Sequence, residues 1–393
     1  MKNYKCDVLV VGAGPAGSNA ARYAAKGADV IVIEKKKEIG GPVQCAEGVS
    51  DGIFEKLEMK PNSRYVSTKI EFVKLIAPNG TVVRLDGEKV KYWKSGMILD
   101  REVFDKAIAK EAARNGADFL MKTRFVSAKR TSKGVTVQAK QMNEDIQIDA
   151  KMIIGADGPP SIVARSLGMD TTVPLRYLES GIQYLMMPME VEPCIELYFG
   201  DCYAPGGYSW VFPKGDDQAN VGLGVLPVKA GQKTAQYYLD KFIERPRFKK
   251  AKIVEVNAGA IPVNGPLKEP YMDNLLLVGD AGRFVNPLTG GGIHTAIITG
   301  KHAGLLAGEA ISKGDYTSNF LKKYNDMWKP EIYDELDKCL KAQEVFMKLT
   351  EKDLDSIADT LKDLKLDSLS TISILKAIIA KNPGLVLKFG KFL

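Results

Sequence analysis

The apolar residues of this chain form short continuous runs, and glycine-rich turns separate these runs from segments of helical character. Residues 8–11 and 30–33 are two such runs, and the segment between them, 15–26, is rich in alanine. Runs of this kind are typical of buried strands, and an alanine-rich segment of this length is typical of a helix. The pattern therefore predicts two strands of an open α/β sheet with a helix between them.

A glycine motif joins the first strand to the helix. Gly12, Gly14 and Gly17 have the spacing Gly-x-Gly-x-x-Gly, and Glu34 ends the second strand. The absence of a side chain at Gly14 lets the backbone approach a pyrophosphate, and the helix N-terminus directs free N–H groups at the phosphates. The Glu34 carboxylate is placed to accept ribose hydroxyls. Together these features favour a dinucleotide site over an empty turn, and they leave NAD and FAD both open.

A second glycine cluster follows much later in the chain. The apolar run 275–278 ends in Gly279 and Asp280, and glycines 290–292 precede a helix predicted from about His294. Bare N–H groups at a helix start suit a second phosphate or the carbonyl edge of a ring, and Asp280 is placed to meet a ribityl or ribose hydroxyl. FAD is long enough to contact both clusters, with its adenosine half at the first and its flavin half at the second.

Three positions between the clusters carry candidate site chemistry. Cys45 lies in a glycine-rich loop, either beside a flat ring or as a small buried filler. Arg101 lies in the first turn of a helix that Asp100 caps, where a cation opposes the helix dipole, and it either contacts a phosphate or flavin or is solvated. Asp157 follows the strand 146–154 at the sheet edge, as a ligand residue or as a helix cap. The residues alone leave each alternative open.

The character of the chain changes between residues 169 and 271. Short β-like runs are here separated by Gly and Pro turns, at 181–186, 195–199, 208–212 and 219–225. This pattern predicts an antiparallel sheet inserted into the α/β body. Tyr208, Trp210 and Phe212 alternate along one strand and share one face, where they either form core or wall a large apolar ligand pocket.

The predicted fold class is therefore α/β, with a Rossmann-like FAD-binding domain, an inserted antiparallel β-sheet substrate domain and a helical C-terminal region. Within the earlier part of the chain, Asn79 and Gly80 predict a hairpin turn that adds strands to the substrate domain. The predicted domains are 1–168 with 272–312 for FAD binding, 169–271 with part of 64–100 for the substrate, and 313–393 for the helical region.

Composition argues against several classes of protein. No apolar run among the 393 residues approaches the length of a membrane helix. The net charge of +7 comes from basic residues scattered among acids, without the stripes of a nucleic-acid groove. Five cysteines without a Cys-x-x-Cys motif and only two histidines argue for a reducing cytoplasm and against a metal site. The acid-free tail 371–393 suits contact with an anionic surface on the inner face of the cell membrane, or packing on the core.

The motifs in their order along the chain resemble a known superfamily. The glycine motif with Ala21, the turn Gly155-Ala-Asp-Gly158 and Gly279-Asp280 with Pro287 resemble the p-hydroxybenzoate-hydroxylase-like flavoproteins. Within these, the loop Pro42-Val-Gln-Cys-Ala-Glu-Gly48 and the strand Tyr208-Ser-Trp-Val-Phe-Pro213 look like the geranylgeranyl reductases, most like the archaeal digeranylgeranylglycerophospholipid reductases. The resemblance implies FAD contacts at Ala16, Glu34, Cys45, Ala46, Gly48, Arg101, Val126, Asp280, Gly292 and Ile293.

The resemblance also implies FAD-dependent saturation of the isoprenoid chains of archaeal membrane lipids. An isolated alkene is a poor hydride acceptor, so its reduction requires a proton for the second carbon, and Cys45 is the candidate donor unless its thiol only packs. Aromatic faces such as those of Tyr208 and Trp210 stabilise the cationic character that develops. The chain has no second glycine fingerprint for a resident nicotinamide. We therefore expect electrons from transient NAD(P)H or from a protein such as ferredoxin.

Two other functions are compatible with these motifs. An aromatic hydroxylase of the same superfamily activates oxygen at a reduced flavin and needs a compact polar pocket. A prenyl-binding escort protein shares the fold without redox chemistry, but Glu34, Asp280 and glycines 290–292 argue against it. We therefore expect a prenyl reductase ahead of both alternatives.

Overall fold

The elements of the computed structural model follow the predicted order of strands and helices. The structure describes residues 2–86, 96–215 and 217–362, together with 364, 376, 378–382 and 384. Its strands are, in chain order, β1 (Lys2–Val11), β2 (Val30–Ile33), β3 (Gly48–Ser50), β4 (Val66–Ile70), β5 (Phe72–Ile76), β6 (Val82–Asp86), β7 (Gly96–Leu99), β8 (Asp118–Leu120), β9 (Thr123–Thr131), β10 (Gly134–Gln141), β11 (Glu144–Gly155), β12 (Leu178–Met187), β13 (Cys194–Phe199), β14 (Tyr208–Pro213), β15 (Ala219–Val225), β16 (Lys252–Pro262), β17 (Tyr271–Met272) and β18 (Leu275–Leu277). Its helices are α1 (Pro15–Ala24), α2 (Gly52–Leu57), α3 (Arg101–Arg114), α4 (Ile162–Ser166), α5 (Pro227–Ala230), α6 (Ala235–Ile243), α7 (Ile293–Lys313), α8 (Ser318–Leu321), α9 (Lys323–Phe346) and α10 (Glu351–Leu361).

The first sheet is the α/β body predicted from the N-terminal pattern. Its strand order is β17-β18-β11-β1-β2-β8, with β10 and β9 attached to β11 as an antiparallel extension. The strands β18, β11, β1, β2 and β8 are parallel to one another. Helices α1 and α7 cover one face, and the antiparallel extension with α4 covers the other. Because both faces are covered, the central strands are continuous apolar runs and do not alternate.

Helices α1 and α7 are in direct backbone contact. A Cβ atom at Gly300 would lie 2.4 Å from the carbonyl oxygen of Ala16, and one at Gly304 would lie 2.3 Å from that of Ala20. Only glycine fits at these two positions of α7. Helix α1 begins within the first glycine motif, directly after its N-cap Gly14, and α7 begins directly after its N-cap Gly292. The contact therefore fixes the relative positions of the two helices that start at the two glycine clusters.

The second sheet contains the four short runs predicted between residues 169 and 271. Its order is β16-β12-β15-β14-β13-β5-β6, and neighbouring strands are antiparallel except for β13 and β5. The four predicted runs are antiparallel to their neighbours, as predicted. Strand β5, from the earlier segment 64–100, pairs with β13 in parallel, which a strand added without a hairpin connection can do. The predicted hairpin at Asn79 and Gly80 joins β5 to β6.

A third, smaller sheet supports the loop that carries Cys45. Its order is β3-β7-β4, and it packs together with α2, α3 and the start of α7. The carboxylate of Asp100 accepts hydrogen bonds from the backbone N–H groups of Glu102 and Val103 at the start of α3. The predicted cap of this helix is confirmed.

Beyond α7, the longer described stretch of the chain is mainly helical and consists of α8, α9 and α10 with short connections. Tyr324 and Trp328 of α9 are fully buried and form edge contacts with Phe284. Within the described ranges, no helix combines the length and the apolar character that crossing a membrane requires. The tail predicted to contact a membrane or to pack on the core, 371–393, lies outside the described residues apart from short pieces.

Candidate active site

A cleft of about 530 Å³ opens between the first and second sheets. This volume is in the range of small-molecule sites in proteins. Both glycine clusters, the Cys45 loop and strands β12 and β16 contribute to its walls. The predicted site residues that line the cleft are Gly14, Ala16, Glu34, Cys45, Arg101, Trp210, Asp280, Gly292 and Ile293. Clusters far apart in the sequence therefore face one cavity, as the binding of one FAD molecule requires.

The three glycines of the first motif have different local roles. Gly12 has a φ of +104°, and a Cβ atom there would lie 2.3 Å from the carbonyl oxygen of Ala156. A Cβ atom at Gly17 would lie 1.9 Å from the carbonyl oxygen of Gly12. A Cβ atom at Gly14, by contrast, would have no neighbour within 4 Å. Gly12 and Gly17 thus permit the turn itself, whereas Gly14 leaves open space on the cleft for a pyrophosphate.

Glu34 lies at the end of the cleft formed by the first glycine motif. Its side chain is buried, and its two carboxylate oxygens accept hydrogen bonds from the backbone N–H groups of Ala13, at 2.8 Å, and Lys36, at 2.9 Å. Each oxygen has a further lone pair for a ligand hydroxyl. The carboxylate is therefore held in place by the backbone and can still accept from a ribose.

Arg101 is held by an acidic partner and is not solvated. Its Nε and Nη2 atoms each donate to one carboxylate oxygen of Asp105, both at 2.7 Å, and the Arg101 side chain is only 14% exposed. Burial disfavours the guanidinium charge, but the Asp105 carboxylate outweighs it, so the pKa of Arg101 is raised above its ordinary value. The structure thus rules out the solvated alternative and places a permanent cation in the cleft wall, and contact with a phosphate or flavin stays a prediction.

Asp280 is the polar group of the second cluster. Among the described residues, none donates a hydrogen bond to its carboxylate, and burial raises its pKa. A Cβ atom at Gly292 would lie 3.0 Å from Asp280 Oδ1, so a larger residue there would push the Asp280 carboxylate aside. A carboxylate without a protein donor on the wall of a cleft calls for a ligand donor such as a hydroxyl. Together with the open space at Gly14 and the free lone pairs of Glu34, this residue set fits FAD.

The Cys45 loop is joined to the second sheet by hydrogen bonds. Gln183 Nε2 donates to the carbonyl oxygen of Cys45 at 3.1 Å, and Trp210 Nε1 donates to Gln183 Oε1 at 3.0 Å. The Cys45 thiol accepts from the backbone N–H of Glu47 at 3.2 Å. Burial raises the pKa of Cys45, so this thiol keeps its proton at neutral pH.

Glu47 anchors the same loop, and the sequence analysis did not identify it. It is 1% exposed and has a φ of +73°. Its carboxylate accepts from the backbone N–H of Arg101 at 2.9 Å, from Asn220 Nδ2 at 2.7 Å and from Lys214 Nζ at 2.8 Å. Glu47 stands in the quoted loop motif, but its partners are too distant in sequence for the motif to reveal them.

The aromatic row lies on one face of β14, as predicted. Trp210 lines the cleft, and its ring centroid is 5.9 Å from that of Tyr208 and 6.5 Å from that of Phe212. The Tyr208 hydroxyl donates to the carbonyl oxygen of Thr289, in the loop of the second glycine cluster. Phe212 packs against the Gly48 backbone, where a Cβ atom would lie 2.8 Å from its ring. Trp210 thus lines the cleft, whereas Tyr208 and Phe212 connect the sheet to surrounding loops.

Several predicted cofactor residues do not themselves line the cleft. The Asp157 carboxylate accepts from Ser161 Oγ at 2.8 Å and from the backbone N–H groups of Ile162 and Val163 at 2.7 and 3.0 Å. It therefore binds the first turn of α4, whose N-cap is Ser161, and this capping role was the alternative to a ligand role. The Val126 side chain is 47% exposed on β9. The predicted residues outside the cleft lining are Gly12, Gly17, Ala46, Gly48, Val126, Asp157, Tyr208 and Phe212.

Comparisons with known proteins agree with this arrangement. A family model described as FAD dependent oxidoreductase matches residues 7–175, and one described as geranylgeranyl reductase catalytic domain matches residues 178–261. Digeranylgeranylglycerophospholipid reductase 1 of Methanothermobacter thermautotrophicus is 46% identical, with 98% of each chain covered. Digeranylgeranylglycerophospholipid reductase 2 of Methanosphaera stadtmanae is 44% identical over the same shares.

Solved structures give the same result for the fold. A geranylgeranyl bacteriochlorophyll reductase-like protein from Thermoplasma acidophilum superposes with a TM-score of 0.91 at 35% identity, with 100% of both chains covered. A flavin-dependent brominase superposes with a TM-score of 0.71 at 16% identity, covering 96% of this chain and 100% of its own, which shows a shared fold alone. The chain uses FAD as its cofactor and belongs to the digeranylgeranylglycerophospholipid reductase family.

Proposed function

We propose that this protein saturates the C=C bonds of geranylgeranyl chains in archaeal membrane lipid precursors such as digeranylgeranylglycerophospholipid. The observation that carries the proposal is the cleft in which both glycine clusters, the Cys45 loop and Trp210 meet. The names and full-length similarity of the relatives support the same substrate class. FAD supplies the hydride chemistry when it is bound and reduced.

The residues of the cleft divide between holding the cofactor and holding the substrate. On the cofactor side, Gly14 gives the pyrophosphate access to the backbone, Glu34 accepts from the ribose, and Asp280 accepts from a ribityl hydroxyl. Arg101 adds a fixed positive charge that offsets phosphate charge or stabilises a reduced flavin. Each of these roles is assigned to a group that lines the cleft.

On the substrate side, an isoprenoid chain needs apolar surface and a place for developing positive charge. Each buried CH₂ contributes roughly 0.8 kcal/mol, so a twenty-carbon chain binds without specific polar contacts. The face of Trp210 stabilises cationic character at the tertiary carbon by about 1 kcal/mol or more when it is desolvated. Because no polar contact fixes the register of the chain, successive double bonds can slide to one flavin.

The electron donor in this proposal is NAD(P)H or reduced ferredoxin, which visits the cleft only transiently. In support, the sequence carries no second glycine fingerprint for a resident nicotinamide. We further propose a cytoplasmic protein that works peripherally at the inner face of the cell membrane, where its lipid substrate is found.

The test is direct observation of saturation. The purified protein is reduced chemically under anaerobic conditions and offered a geranylgeranylated glycerophospholipid, and the lipid is then analysed by mass spectrometry. We expect mass increments of two hydrogen atoms per double bond, with none in a sample that omits the reductant. A gain of one oxygen atom on admission of air would support a hydroxylase, and flavin that never reoxidises with the lipid would contradict the reductase.

A further inference from the structure

One carboxyl group beside the cleft has no part in the site described so far. Glu179 lies on β12, where side chains two residues apart point to the same face of the sheet. Gly181 and Gln183 share that face, and both line the cleft. The opposite face of β12 packs against α6 through Tyr184 and its neighbours. Glu179 is therefore on the cleft face of the second sheet.

The carboxyl group of Glu179 lies flat over the backbone of neighbouring strands. A Cβ atom at Gly224 would lie 2.9 Å from Glu179 Oε2, and one at Gly207 would lie 3.8 Å from Oε1. Gly224 of β15 pairs directly with Tyr208 of β14. Since Gly224 has no side chain, the carboxyl fits beside Tyr208 against the sheet.

This position is at the end of the cleft where the second glycine cluster lies. Ile261 of β16 is the cross-strand partner of Glu179, and it lines the cleft. A Cβ atom at Gly290 would lie 3.5 Å from Ile261 Cγ2, and the Tyr208 hydroxyl donates to Thr289 in the same loop. In the proposed arrangement this is the flavin end, and Glu179 lies just beyond the cleft lining there, next to the lining residue Ile261.

The carboxyl group of Glu179 can carry a proton near neutral pH, as a proton donor must. Among the described residues, no hydrogen bond or ion pair to its carboxyl group occurs, and burial raises its pKa to about 7. Cys45 and Tyr208 also keep their protons, but burial raises the pKa of each above an ordinary value of 9.0 and 10.0, so both are weaker acids. General acid catalysis works best when the pKa of the acid is close to the working pH.

We propose that the carboxyl group of Glu179 supplies the proton that the substrate alkene takes up during saturation. Its O–H bond breaks, and the electron pair of the C=C bond forms the new C–H bond. The adjacent tertiary carbon receives the hydride, with its two electrons, that reduced FAD supplies. Glu179 is left as a carboxylate and regains a proton from water. The proposal rests on the proposed reductase function, and it assigns to Glu179 the role that the sequence suggested for Cys45.

The first test replaces the acid without changing its shape. Glu179→Gln cannot release a proton, and we expect alkene saturation to fall by about 100-fold or more. FAD content, the thermal midpoint and reduction of the bound flavin by dithionite should stay as in the wild type. Glu190→Gln is the matched control, because Glu190 is an exposed carboxyl in the same sheet region. Retention of saturation in Glu179→Gln to within about threefold of the wild type overturns the proposal.

A second arm separates Glu179 from Cys45. If Glu179 is the donor, Cys45→Ala loses less than about tenfold in saturation, whereas a larger loss in Cys45→Ala than in Glu179→Gln assigns the proton to the thiol and overturns the proposal. A wild-type protein that leaves the lipid unsaturated contradicts the reductase function itself. The two failures are therefore distinguishable.

A third measurement needs no variant, and its infrared part does not depend on activity. Infrared spectra of the wild-type holoprotein should show a protonated carboxyl band that disappears as the pH rises through about 7, and the saturation rate should fall over the same interval. The groups next to Glu179 are Tyr208 from β14, Gly224 from β15 and Ile261 from β16. None of these three titrates near neutral pH, because burial raises the pKa of Tyr208 and the other two have no ionisable side chain. The proposal is contradicted if the carboxyl band and the saturation rate both stay constant between about pH 5.5 and about pH 8.5.

Discussion

The two ends of the cleft are built in different ways. At the end formed by the first glycine motif, Glu34 accepts hydrogen bonds from Ala13, which is 21 residues away, and from Lys36, and the turn depends on Gly12 and Gly17. At the reacting end, Gln183 holds the Cys45 loop across 138 residues, and Asn220 holds Glu47 across 173. The first end is built from residues close together in the sequence, whereas the second forms only when both sheets have folded.

The largest expected effect is at the reacting end, in the buried contacts of Glu47. Glu47→Ala leaves the Lys214 ammonium and the Asn220 amide buried without their partner, and we expect a loss of about 3–5 kcal/mol in the free energy of unfolding. Urea unfolding of the purified protein measures it. Glu38→Ala, which breaks an exposed pair with Lys106, should leave the unfolding midpoint unchanged. A small loss at Glu47 would show that the loop is held by other contacts.

The next effect distinguishes two glycines of the local motif. Gly17→Ala places a Cβ atom on the Gly12 carbonyl, and we expect about 1–3 kcal/mol of destabilisation even without FAD. Gly14→Ala meets no protein atom, so the apoprotein should unfold as the wild type does while FAD affinity falls. Thermal unfolding of apoprotein and holoprotein checks both. Equal effects of the two substitutions on the apoprotein would contradict the division of roles.

A smaller effect is expected from the hydrogen bond that links Trp210 to the Cys45 loop. Trp210→Phe removes the donor to Gln183 Oε1, and we expect a loss of about 1 kcal/mol in stability. A double-mutant cycle with Gln183→Leu measures the coupling between the two side chains. Additive losses would mean that Trp210 and the loop act independently.

The last effect appears only when the pH is varied, and it is the pH dependence of stability that Glu179 contributes. Its pKa is about 7 in the folded protein against an ordinary 4.5, so the folded state binds this proton more tightly than the unfolded chain does. The contribution is fully present below the ordinary value and is lost as the pH rises through about 7. We expect Glu179→Gln to remove this slope from the pH profile of the unfolding free energy. An unchanged slope would contradict the shifted pKa.

The sequence predicted what depends on local rules. The fold class, the glycine motif with Glu34, the cap at Asp100 and the hairpin at Asn79 all follow from neighbouring residues, and the structure has each of them. The anchoring of Glu47 by Lys214 does not, because the partners meet only through tertiary folding. The parallel pairing of β13 with β5 was missed for the same reason.

Two sequence alternatives show where local information ends. Asp157 lies at the sheet edge whether it binds a ligand or caps α4, and only the hydrogen bonds of its two oxygens distinguish the roles. Arg101 stands in a first turn in either case, and only its bidentate contact with Asp105 shows that it is not solvated. In both cases the residue type indicated a polar role, and only the hydrogen-bond partners showed which role it is.

The glycine contact between α1 and α7 has a consequence for the choice of cofactor. Because Gly300 and Gly304 bring the two helix backbones together, the span between the starts of these helices cannot be altered by repacking side chains. A flavin mononucleotide would reach only one end of that span and would forfeit every contact at the other. The backbone contact between the two helices therefore favours a cofactor that is long enough to reach both helix starts.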